Sequence, residues 1–544
     1  MDKEIEKKTF LHGAVVLGIA GLVIKVMGMV FRIPLANIIG ADGMGYYQTA
    51  YPVYVLLLTL ATAGVPVAIS RMVAERNAVN DYYEAYRVFR ISFFLLLLIG
   101  TFSSVFLFFG SESIVAFQNP EDLTHSAKYA MMAIAPALIV VPIQAAFRGF
   151  FQGLQNMRPT AISQIVEQLF RVIIGLILAI LLVGKGVEFS AAGASFGATA
   201  GGIAGLTSIV VIYVLNRDEL NRKIARDAKK AKESGQKILL QILWIAIPIT
   251  IGAAVMPIMN AIDALMVPRR LIEAGFTGET SRVLYGQLTG FAGPMINFPQ
   301  VLTQAIAMSL VPAVAAAYRI KDMVFLRHNV QLGLRMAWMI GMPCAVGFMS
   351  LSKPIMLMLY PMQKADAIGA APCFFILSFG VIFLASLQTL TGVLQGVGKQ
   401  MIPVRNIFIG AFAKVALTYA LTGIPSINIR GAAIGTVAAY VLASLLNIAA
   451  VMKYTGTRFN LGQILLKPFI SVIIMAGCVI LSYNLVFERV GLGNTSSTLI
   501  SIAVGAIVYG IMLMVTRAVS GEELILLPKG ERLATAFKRF ERRR

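Results

Sequence analysis

Apolar stretches of about 20 residues follow one another along nearly the whole chain, separated by short polar segments. A stretch of this length is what an α-helix needs to cross the hydrocarbon layer of a membrane. The pattern predicts fourteen such helices, over residues 10–33, 46–70, 91–110, 129–150, 161–183, 190–215, 238–267, 284–317, 329–350, 368–394, 403–422, 429–452, 464–487 and 496–516. We therefore predict an all-α polytopic membrane protein with about 14 transmembrane helices.

Two basic segments interrupt this pattern and suggest how the helices are grouped. One follows the sixth predicted helix and the other follows the last. A polar, Lys-rich segment between two sets of helices is typical of a linker. The predicted domains are an N-terminal lobe over 1–216, a linker over 217–237, a C-terminal lobe over 238–453, two additional helices over 454–517 and a basic tail over 518–544.

The composition agrees with a membrane protein, because 58% of the 544 residues are hydrophobic and only 13% are charged. The three cysteines have no His or Cys at ligand spacing, so neither a metal site nor a disulfide framework is expected. The sequence contains no Walker A or HExxH motif, and its one GxSxG match, GASFG (193–197), lies inside a predicted membrane helix. We therefore expect a protein that is not an enzyme and that needs no cofactor.

The net charge of +21 is explained by membrane topology. If the N-terminus is cytoplasmic, most of the Lys and Arg residues fall in cytoplasmic segments, as the positive-inside rule requires. Anionic lipids of the inner leaflet attract such segments. We predict a multi-pass protein of the bacterial plasma membrane with both termini cytoplasmic, and no nucleic-acid partner, since no recognition motif accompanies the charge.

A weak internal repeat supports the two lobes. The sequence FQGLQNMRP (151–159) is similar to LQGVGKQMIP (394–403), and in both copies a cation follows the glutamine by nineteen residues: Gln152 precedes Arg171 and Gln395 precedes Lys414. Both copies would cross the membrane in the same direction. Repeats of this kind in transporters place the substrate site near mid-membrane between the halves.

Four polar residues lie on one face of the fifth predicted helix. Gln164, Glu167, Gln168 and Arg171 are spaced i, i+3, i+4, i+7. One Arg at the bilayer centre costs about 2.5–3.5 kcal/mol, so we expect this stripe to face protein or water rather than lipid. The next helix carries glycines at every fourth position, which predicts a close helix contact; they are Gly193, Gly197, Gly201 and Gly205.

Further polar residues lie deep in predicted spans: Lys25, Arg32, Lys414, Asn260 and Asp263. The four deep cations, Lys25, Arg32, Arg171 and Lys414, outnumber the two acids, which favours a cavity that binds an anion. The alternative is that these groups pair across helices and only fix packing. Asp263, Asn260 and Glu167 are candidates for coupling transport to Na⁺ or H⁺.

The segments GMVFRIPLANIIGADGMGYYQ (28–48), ATAGVPVAISRMVAE (61–75), the block from 147 to 177 and YGQLTGFAGPMINFPQVLTQAIAMSLVPA (285–313) resemble one known family. It is the polysaccharide-transporter branch of the multidrug/oligosaccharidyl-lipid/polysaccharide flippase superfamily, in particular its bacterial stage V sporulation and lipid II flippase types. The resemblance implies two six-helix lobes around a cavity, two C-terminal helices and alternating access. It also implies a lipid-linked diphosphate precursor as substrate.

The match to the lipid II flippases is incomplete. Those proteins carry an SR.LG..R pattern on the first helix; here IKVMGMVFR places Lys25 at the first basic position and Arg32 one residue beyond the second. Where they have an arginine ahead of a Phe-Pro pair, this chain has Pro294. The resemblance therefore does not fix the substrate.

We hypothesise a flippase that moves a lipid-linked anionic cell-wall or polysaccharide precursor to the outer leaflet. The substrate-binding candidates are Lys25, Arg32, Gln164, Glu167, Gln168, Arg171 and Lys414. Membrane potential, Na⁺ or H⁺ would drive transport, and membrane lipids and cell-wall synthesis enzymes are the expected partners. Two alternatives are a multidrug/cation antiporter of the same fold and a non-transporting membrane scaffold for cell-wall synthesis.

Overall fold

The computed structural model describes residues 2–120, 126–218, 222, 233–459, 462–516 and 518. The described helices are α1 (Asp2–Thr62), α2 (Val65–Ala78), α3 (Tyr82–Gln118), α4 (Lys128–Ile134), α5 (Ala137–Gly153), α6 (Arg158–Leu182), α7 (Val187–Leu215), α8 (Gly235–Glu273), α9 (Gly278–Gly286), α10 (Gly293–Arg319), α11 (Met323–Ser350), α12 (Ser352–Leu359), α13 (Lys364–Gly396), α14 (Met401–Thr422), α15 (Arg430–Thr455), α16 (Lys467–Asn484) and α17 (Asn494–Val515). A π-helical segment, Gln287–Ala292, joins α9 to α10. Most of the predicted linker and tail lie outside the described residues.

Thirteen helical segments in the described part of the chain are long and apolar enough to cross a membrane. The predicted all-α polytopic fold is therefore confirmed. The prediction of fourteen separate spans differs by one because the first two are joined in a single helical segment, Ala20–Ala78.

This first segment contains a reversal of direction at Gly40. Gly40 has a φ of 66° inside α1, a left-handed conformation that glycine adopts without a steric penalty. The ring centroids of Phe31 and Tyr47 are 6.4 Å apart, whereas sixteen residues of straight helix would separate them by about 24 Å. The two halves of α1 therefore form a hairpin, and each half corresponds to one predicted crossing.

The chain forms two compact units. The first comprises Met1–Phe291 with Thr422–Ile429, and the second comprises Ala292–Leu421 with Arg430–Arg544. The first unit extends beyond the predicted N-terminal lobe, because Ile238, Ile242 and Ala246 of α8 belong to its hydrophobic core. The division into an N-terminal and a C-terminal lobe remains a prediction about the repeat.

The core of the first unit brings α5 close to α2 and α3. Phe89 of α3 packs against Phe147 and Phe150 of α5, with ring centroids 5.1 and 4.7 Å away. A Cβ added at Gly153 would lie 2.6 Å from the Cβ of Val73 in α2. Larger residues would not fit there, so the small residues of GFFQG fix the position of α5 and of Arg148 within it.

The glycine ridge of α7 packs directly on the backbone of α6. A Cβ at Gly197 would lie 2.6 Å from the carbonyl oxygen of Arg171, and a Cβ at Gly201 would overlap the carbonyl oxygen of Glu167. The predicted close helix contact is confirmed. This contact places the backbone of α6, the helix that carries the polar stripe, directly against the backbone of α7.

The core of the second unit is formed by α10, α11, α13 and α15, with Val314, Val330, Leu390 and Val451 buried in it. The indole of Trp338 in α11 donates a hydrogen bond to Ser386 of α13. Arg335, a polar residue in the same helix, donates to the carbonyl oxygen of Ala518.

The weak sequence repeat has a counterpart in backbone geometry. After α5, Gln155 has a φ of 59° and Asn156 N–H donates to the carbonyl of Phe151 at 2.9 Å. After α13, Gly398 has a φ of 75° and Lys399 N–H donates to the carbonyl of Leu394 at 2.8 Å. Gln155 and Gly398 each lie three residues after the QG glutamine, so the two turns have the same form.

A second pair of turns repeats in the same way. Asn80, with a φ of 57°, precedes Asp81, whose side chain caps α3. Lys321, with a φ of 58°, precedes Asp322, whose side chain caps α11. Two equivalent turns in the same order are better evidence of a duplicated unit than the residue identities alone.

Candidate functional site

Glu167 lies at the centre of a buried ion cluster in the first unit. Its carboxylate accepts a hydrogen bond from Nη2 of Arg148 at 2.8 Å and from Nη2 of Arg171 at 3.1 Å. The side chains of Arg148, Glu167 and Arg171 are only 13%, 13% and 16% exposed. We call these three residues the ion cluster. It contains two cations and one anion, so it carries one positive charge in excess.

Two neutral residues complete the contacts of Arg148. Its Nε donates to the hydroxyl of Ser163 at 2.9 Å. Gln144 is fully buried; with its amide turned to suit its neighbours, its nitrogen donates to Glu167 at 3.2 Å and its oxygen accepts from Arg148 Nη2 at 2.5 Å. A Cβ at Gly205 would overlap the Gln144 amide, so the last glycine of the α7 ridge makes room for this bond.

Arg148 is a site residue that is not among the predicted ones. It is nineteen residues before Glu167, a separation that no helical periodicity brings together. The signal that was available is its position in RGFFQG, at the end of a predicted membrane helix and within the block that resembles the flippase family.

The rest of the predicted stripe is partly buried beside the cluster. Gln168 is 8% exposed, and its amide nitrogen lies 3.5 Å from the position of a Cβ at Gly28 of α1. Gln164 is half-buried on the same helix. The stripe therefore lies against protein along part of its length, and α1 is one of the helices that it contacts.

A row of tyrosines on the second half of α1 lies near the ion cluster. The Tyr47 and Tyr51 rings stack at 5.5 Å, and Tyr51 is 6.0 Å from Tyr54. Arg32, on the first half of α1, lies 5.8 Å from the Tyr51 ring centroid. All three tyrosines interact electrostatically with Arg171. The hairpin at Gly40 thus brings Arg32 to the same tyrosines that Arg171 reaches.

Two hydrogen-bond donors of this site are buried without an acceptor in the described part of the chain. They are the hydroxyl of Tyr54, a residue that is 1% exposed, and Nε of Arg171. Each of the two would normally have a partner, since buried polar groups are rarely left unsatisfied. Tyr54 is not among the predicted site residues, although Tyr47, Tyr51 and Tyr54 have the i, i+4, i+7 spacing of one helix face.

The other predicted cations lie elsewhere. Lys25 is exposed on the first half of α1. Lys414 is half-buried in α14 and belongs to the second unit. Of the four predicted cations, the structure places Arg32 and Arg171 at one site in the first unit, and the participation of Lys25 and Lys414 stays a prediction.

The candidates for ion coupling lie on two helices of the first unit, Asn260 and Asp263 on α8 and Glu167 on α6. Asn260 is exposed on α8, and Asp263 is half-buried and interacts with Tyr285. Glu167 already binds two arginines. No group of three or more His, Cys, Asp or Glu residues that could hold a metal ion occurs within the described ranges.

In the second unit, neutral residues stand at the positions equivalent to Arg148 and to its partner Ser163. Counted from the QG glutamine, Thr391 is equivalent to Arg148 and Asn406 to Ser163. The Asn406 amide donates to Asn447 at 2.8 Å, and Asn447 donates to Thr391 at 3.3 Å. Both hairpins therefore carry a buried polar network. The repeats differ at the positions of Arg148 and Glu167, which are Thr391 and Gly410 in the second unit, whereas Lys414 keeps a cation at the position of Arg171.

Comparison with known proteins identifies relatives over nearly the whole chain. The family model described as polysaccharide biosynthesis protein matches residues 10–318, more than half of the chain. Stage V sporulation protein B of Bacillus subtilis (strain 168) is 28% identical over 529 residues, 96% of this chain and 98% of that protein. Lipid II flippase MurJ of the same organism is 26% identical over 477 residues, 86% of each chain.

Solved structures show a similar fold. Lipid II flippase MurJ in an inward closed conformation has a TM-score of 0.69 at 16% identity, covering 92% of this chain and 98% of that one. An inward-facing multidrug resistance transporter of the MATE family has a TM-score of 0.66 at 16% identity, covering 81% and 98%. At this identity the likeness concerns the fold alone, and the fold is that of a multi-pass membrane protein.

Proposed function

We propose a function from one premise: the chain belongs to the polysaccharide biosynthesis protein family, a branch of the multidrug/oligosaccharidyl-lipid/polysaccharide flippase superfamily. The proposed function is alternating-access transport of an anionic, lipid-linked cell-wall or polysaccharide precursor from the inner to the outer leaflet of a bacterial plasma membrane. The precursor is of the lipid II kind, as in the name of one relative. The proposed orientation has both termini in the cytoplasm.

The ion cluster is the observation that carries this proposal. Removing a charge from water costs several kcal/mol even after the protein relaxes, and one partner for each charge is the usual compensation. Arg148 and Arg171 share a single carboxylate, so one positive charge lacks a counterion within the cluster. A diphosphate would supply that counterion during transport.

In the proposed mechanism, the precursor's diphosphate binds at Arg171 and Arg32 from the cytoplasmic side, while its lipid tail stays in the bilayer. Lys25 and Lys414 are proposed to add positive charge along the path. With a negative cell interior, each net negative charge carried outward gains about 2.3 kcal/mol per 100 mV. The potential alone can then favour outward movement, and a role for Na⁺ or H⁺ through Asp263, Asn260 or Glu167 is an additional proposal.

Export of cationic drugs is the second candidate, because the fold is also similar to that of a multidrug resistance transporter. A cation would be repelled by the excess positive charge of the ion cluster. Drug-resistance assays in cells that express the chain separate the two functions. Export of cationic drugs together with no movement of lipid-linked precursors would favour this alternative.

The non-transporting scaffold is the remaining alternative. A scaffold would act through its cytoplasmic segments and would need no buried charge in its helices. Deleting the chain from Lys529 onward would disable such a scaffold, whereas the flippase proposal expects transport to persist.

The proposal is tested by reconstituting the protein in liposomes with a fluorescent lipid-linked diphosphate precursor and measuring its transfer between leaflets. Arg171→Gln removes the excess charge and leaves Glu167 paired with Arg148, so the variant should fold and lose most of its transport. Arg71→Gln is a matched control, because Arg71 forms an exposed i, i+4 pair with Glu75 in α2. Equal transport by the two variants would reject the site.

A further inference from the structure

The buried hydroxyl of Tyr54 and the buried Nε of Arg171 share one property: each is a donor with no acceptor in the described part of the chain. The helices that carry them, α1 and α6, pack against each other. The Gln168 amide of α6 lies 3.5 Å from the Cβ position of Gly28 on α1, and the Tyr54 hydroxyl interacts electrostatically with Arg171. The two donors therefore belong to one site.

Leaving a buried donor without an acceptor weakens the fold, and a hydroxyl that served packing alone would be replaced by phenylalanine at no loss. The ring contacts of Tyr54 with Tyr51 need no oxygen. Both donors therefore need an acceptor that the described part of the chain does not supply. The excess positive charge of the ion cluster favours an acceptor that is negative over a neutral water.

We propose that the Tyr54 hydroxyl and Arg171 Nε form an oxyanion subsite that takes one phosphoryl oxygen of a diphosphate. The inference rests on the proposed function and deepens it by naming the donors that hold the transported group. Arg171 has donors for two different partners: its Nη2 donates a hydrogen bond to Glu167, and its Nε is available to the ligand. The Tyr54 hydroxyl adds a second donor from α1, the helix that packs against α6.

The chemistry of the subsite suits both the headgroup of a lipid-linked precursor and inorganic phosphate. Three probes separate these sources in binding titrations with the purified full-length protein in detergent: farnesyl diphosphate, inorganic pyrophosphate and farnesol. A much higher affinity for farnesyl diphosphate than for pyrophosphate identifies the ligand as a lipid headgroup. Similar affinities for the two identify it as a free phosphate. Binding of farnesol as tight as that of farnesyl diphosphate would overturn the proposal.

Tyr54→Phe removes only the hydroxyl. We expect about tenfold weaker binding of the diphosphate probe, which corresponds to one hydrogen bond to a charged group. The melting temperature without ligand should be unchanged or raised, because an unsatisfied donor has been removed. Farnesol binding should not change.

Tyr509→Phe is the matched control, since the Tyr509 hydroxyl already donates to the carbonyl of Met339 at 2.8 Å. This variant should lose stability and keep its affinity for the diphosphate, the reverse of Tyr54→Phe. Arg171→Lys is a second test of the subsite, because it keeps the charge and removes Nε; it too should bind the diphosphate more weakly.

The results also distinguish this inference from the proposed function. Binding that depends on Tyr54 in a protein that does not move the precursor would support the subsite and reject the flippase. Transport with diphosphate affinity unchanged in both Tyr54→Phe and Arg171→Lys would overturn the subsite and leave the flippase standing.

Discussion

Arg148 and Glu167 lie nineteen residues apart in the sequence and are joined by a hydrogen bond of 2.8 Å between α5 and α6. This contact changes the charge of the site. With Arg148 present, Glu167 is shared between two guanidinium groups, and Arg171 keeps part of its charge for a ligand. Arg148 is thus a positioning residue that acts through Glu167.

The charge of the ion cluster can be set by substitution. Arg148→Gln leaves Glu167 to pair with Arg171 alone and brings the cluster from a net +1 to 0. We expect a higher apparent KM for the precursor and a smaller change in kcat in the liposome assay. Adding Glu167→Gln restores the net +1 and should recover most of the affinity.

A purely structural role for Arg148 predicts something else. In that case Arg148→Gln would lower protein yield and melting temperature, and the KM of the protein that folds would stay at the wild-type value. Failure of the second substitution to improve on Arg148→Gln would contradict the electrostatic account.

Glu167→Gln by itself leaves Arg148 and Arg171 facing each other without an anion. Breaking a buried pair by removing one partner costs about 3–5 kcal/mol, so we expect a large loss of thermal stability. Glu75→Gln, in the exposed pair with Arg71, should cost about 0–1 kcal/mol. Melting temperatures of the two purified variants measure the difference, and similar values would show that Glu167 is better solvated than its burial indicates.

The glycine ridge of α7 packs against the backbone of α6 at Glu167 and Arg171. Gly201→Ala would place a methyl group against the carbonyl oxygen of Glu167 and should destabilise the protein by about 1–3 kcal/mol, the usual range for overpacking. Gly477→Ala in α16 is the control, because nothing lies within 4 Å of its Cβ position and alanine favours a helix by about 1 kcal/mol. Thermal unfolding should separate the two variants; a stable Gly201→Ala protein would mean that the helices can move apart.

A second ion pair joins the hairpin of α1 to α9. Nε of Arg282 donates to Asp42 at 2.5 Å, and the guanidinium lies 4.2 Å from the Tyr46 ring centroid. Arg282→Ala should cost about 2–3 kcal/mol from the charged hydrogen bond and the cation–π contact. A double-mutant cycle with Asp42→Asn measures the share of the ion pair, and a coupling energy near zero would assign the loss to packing on Tyr46.

Much of the fold could be predicted from the sequence, because membrane helices are long apolar runs and the stripe and the glycine ridge follow a helical period. The stripe predicted Glu167 and Arg171, and the glycine ridge predicted a close helix contact of α7, although not that its partner is α6. Contacts across a turn were not accessible in this way. Arg148 reaches Glu167 only because the turn at Gln155 returns the chain along α5.

The same limit applies to the hairpin of α1. The predicted spans 10–33 and 46–70 imply that the chain reverses between them, but they do not specify which residues the turn at Gly40 brings together. The reversal brings Arg32 to Tyr51 and thereby near the tyrosines that interact with Arg171. The sequence therefore predicts some residues of the anion site. The two donors without an acceptor, which define the chemistry of the site, are recognised only from the structure.

The central claim is that the excess positive charge of the ion cluster binds the anionic group of a transported lipid. Its most direct test is leaflet transfer of a lipid-linked diphosphate precursor in proteoliposomes under an applied membrane potential, comparing wild type, Arg171→Gln and Arg71→Gln. The account predicts potential-dependent transfer by wild type and Arg71→Gln, and little transfer by folded Arg171→Gln. Wild-type rates in Arg171→Gln would contradict it.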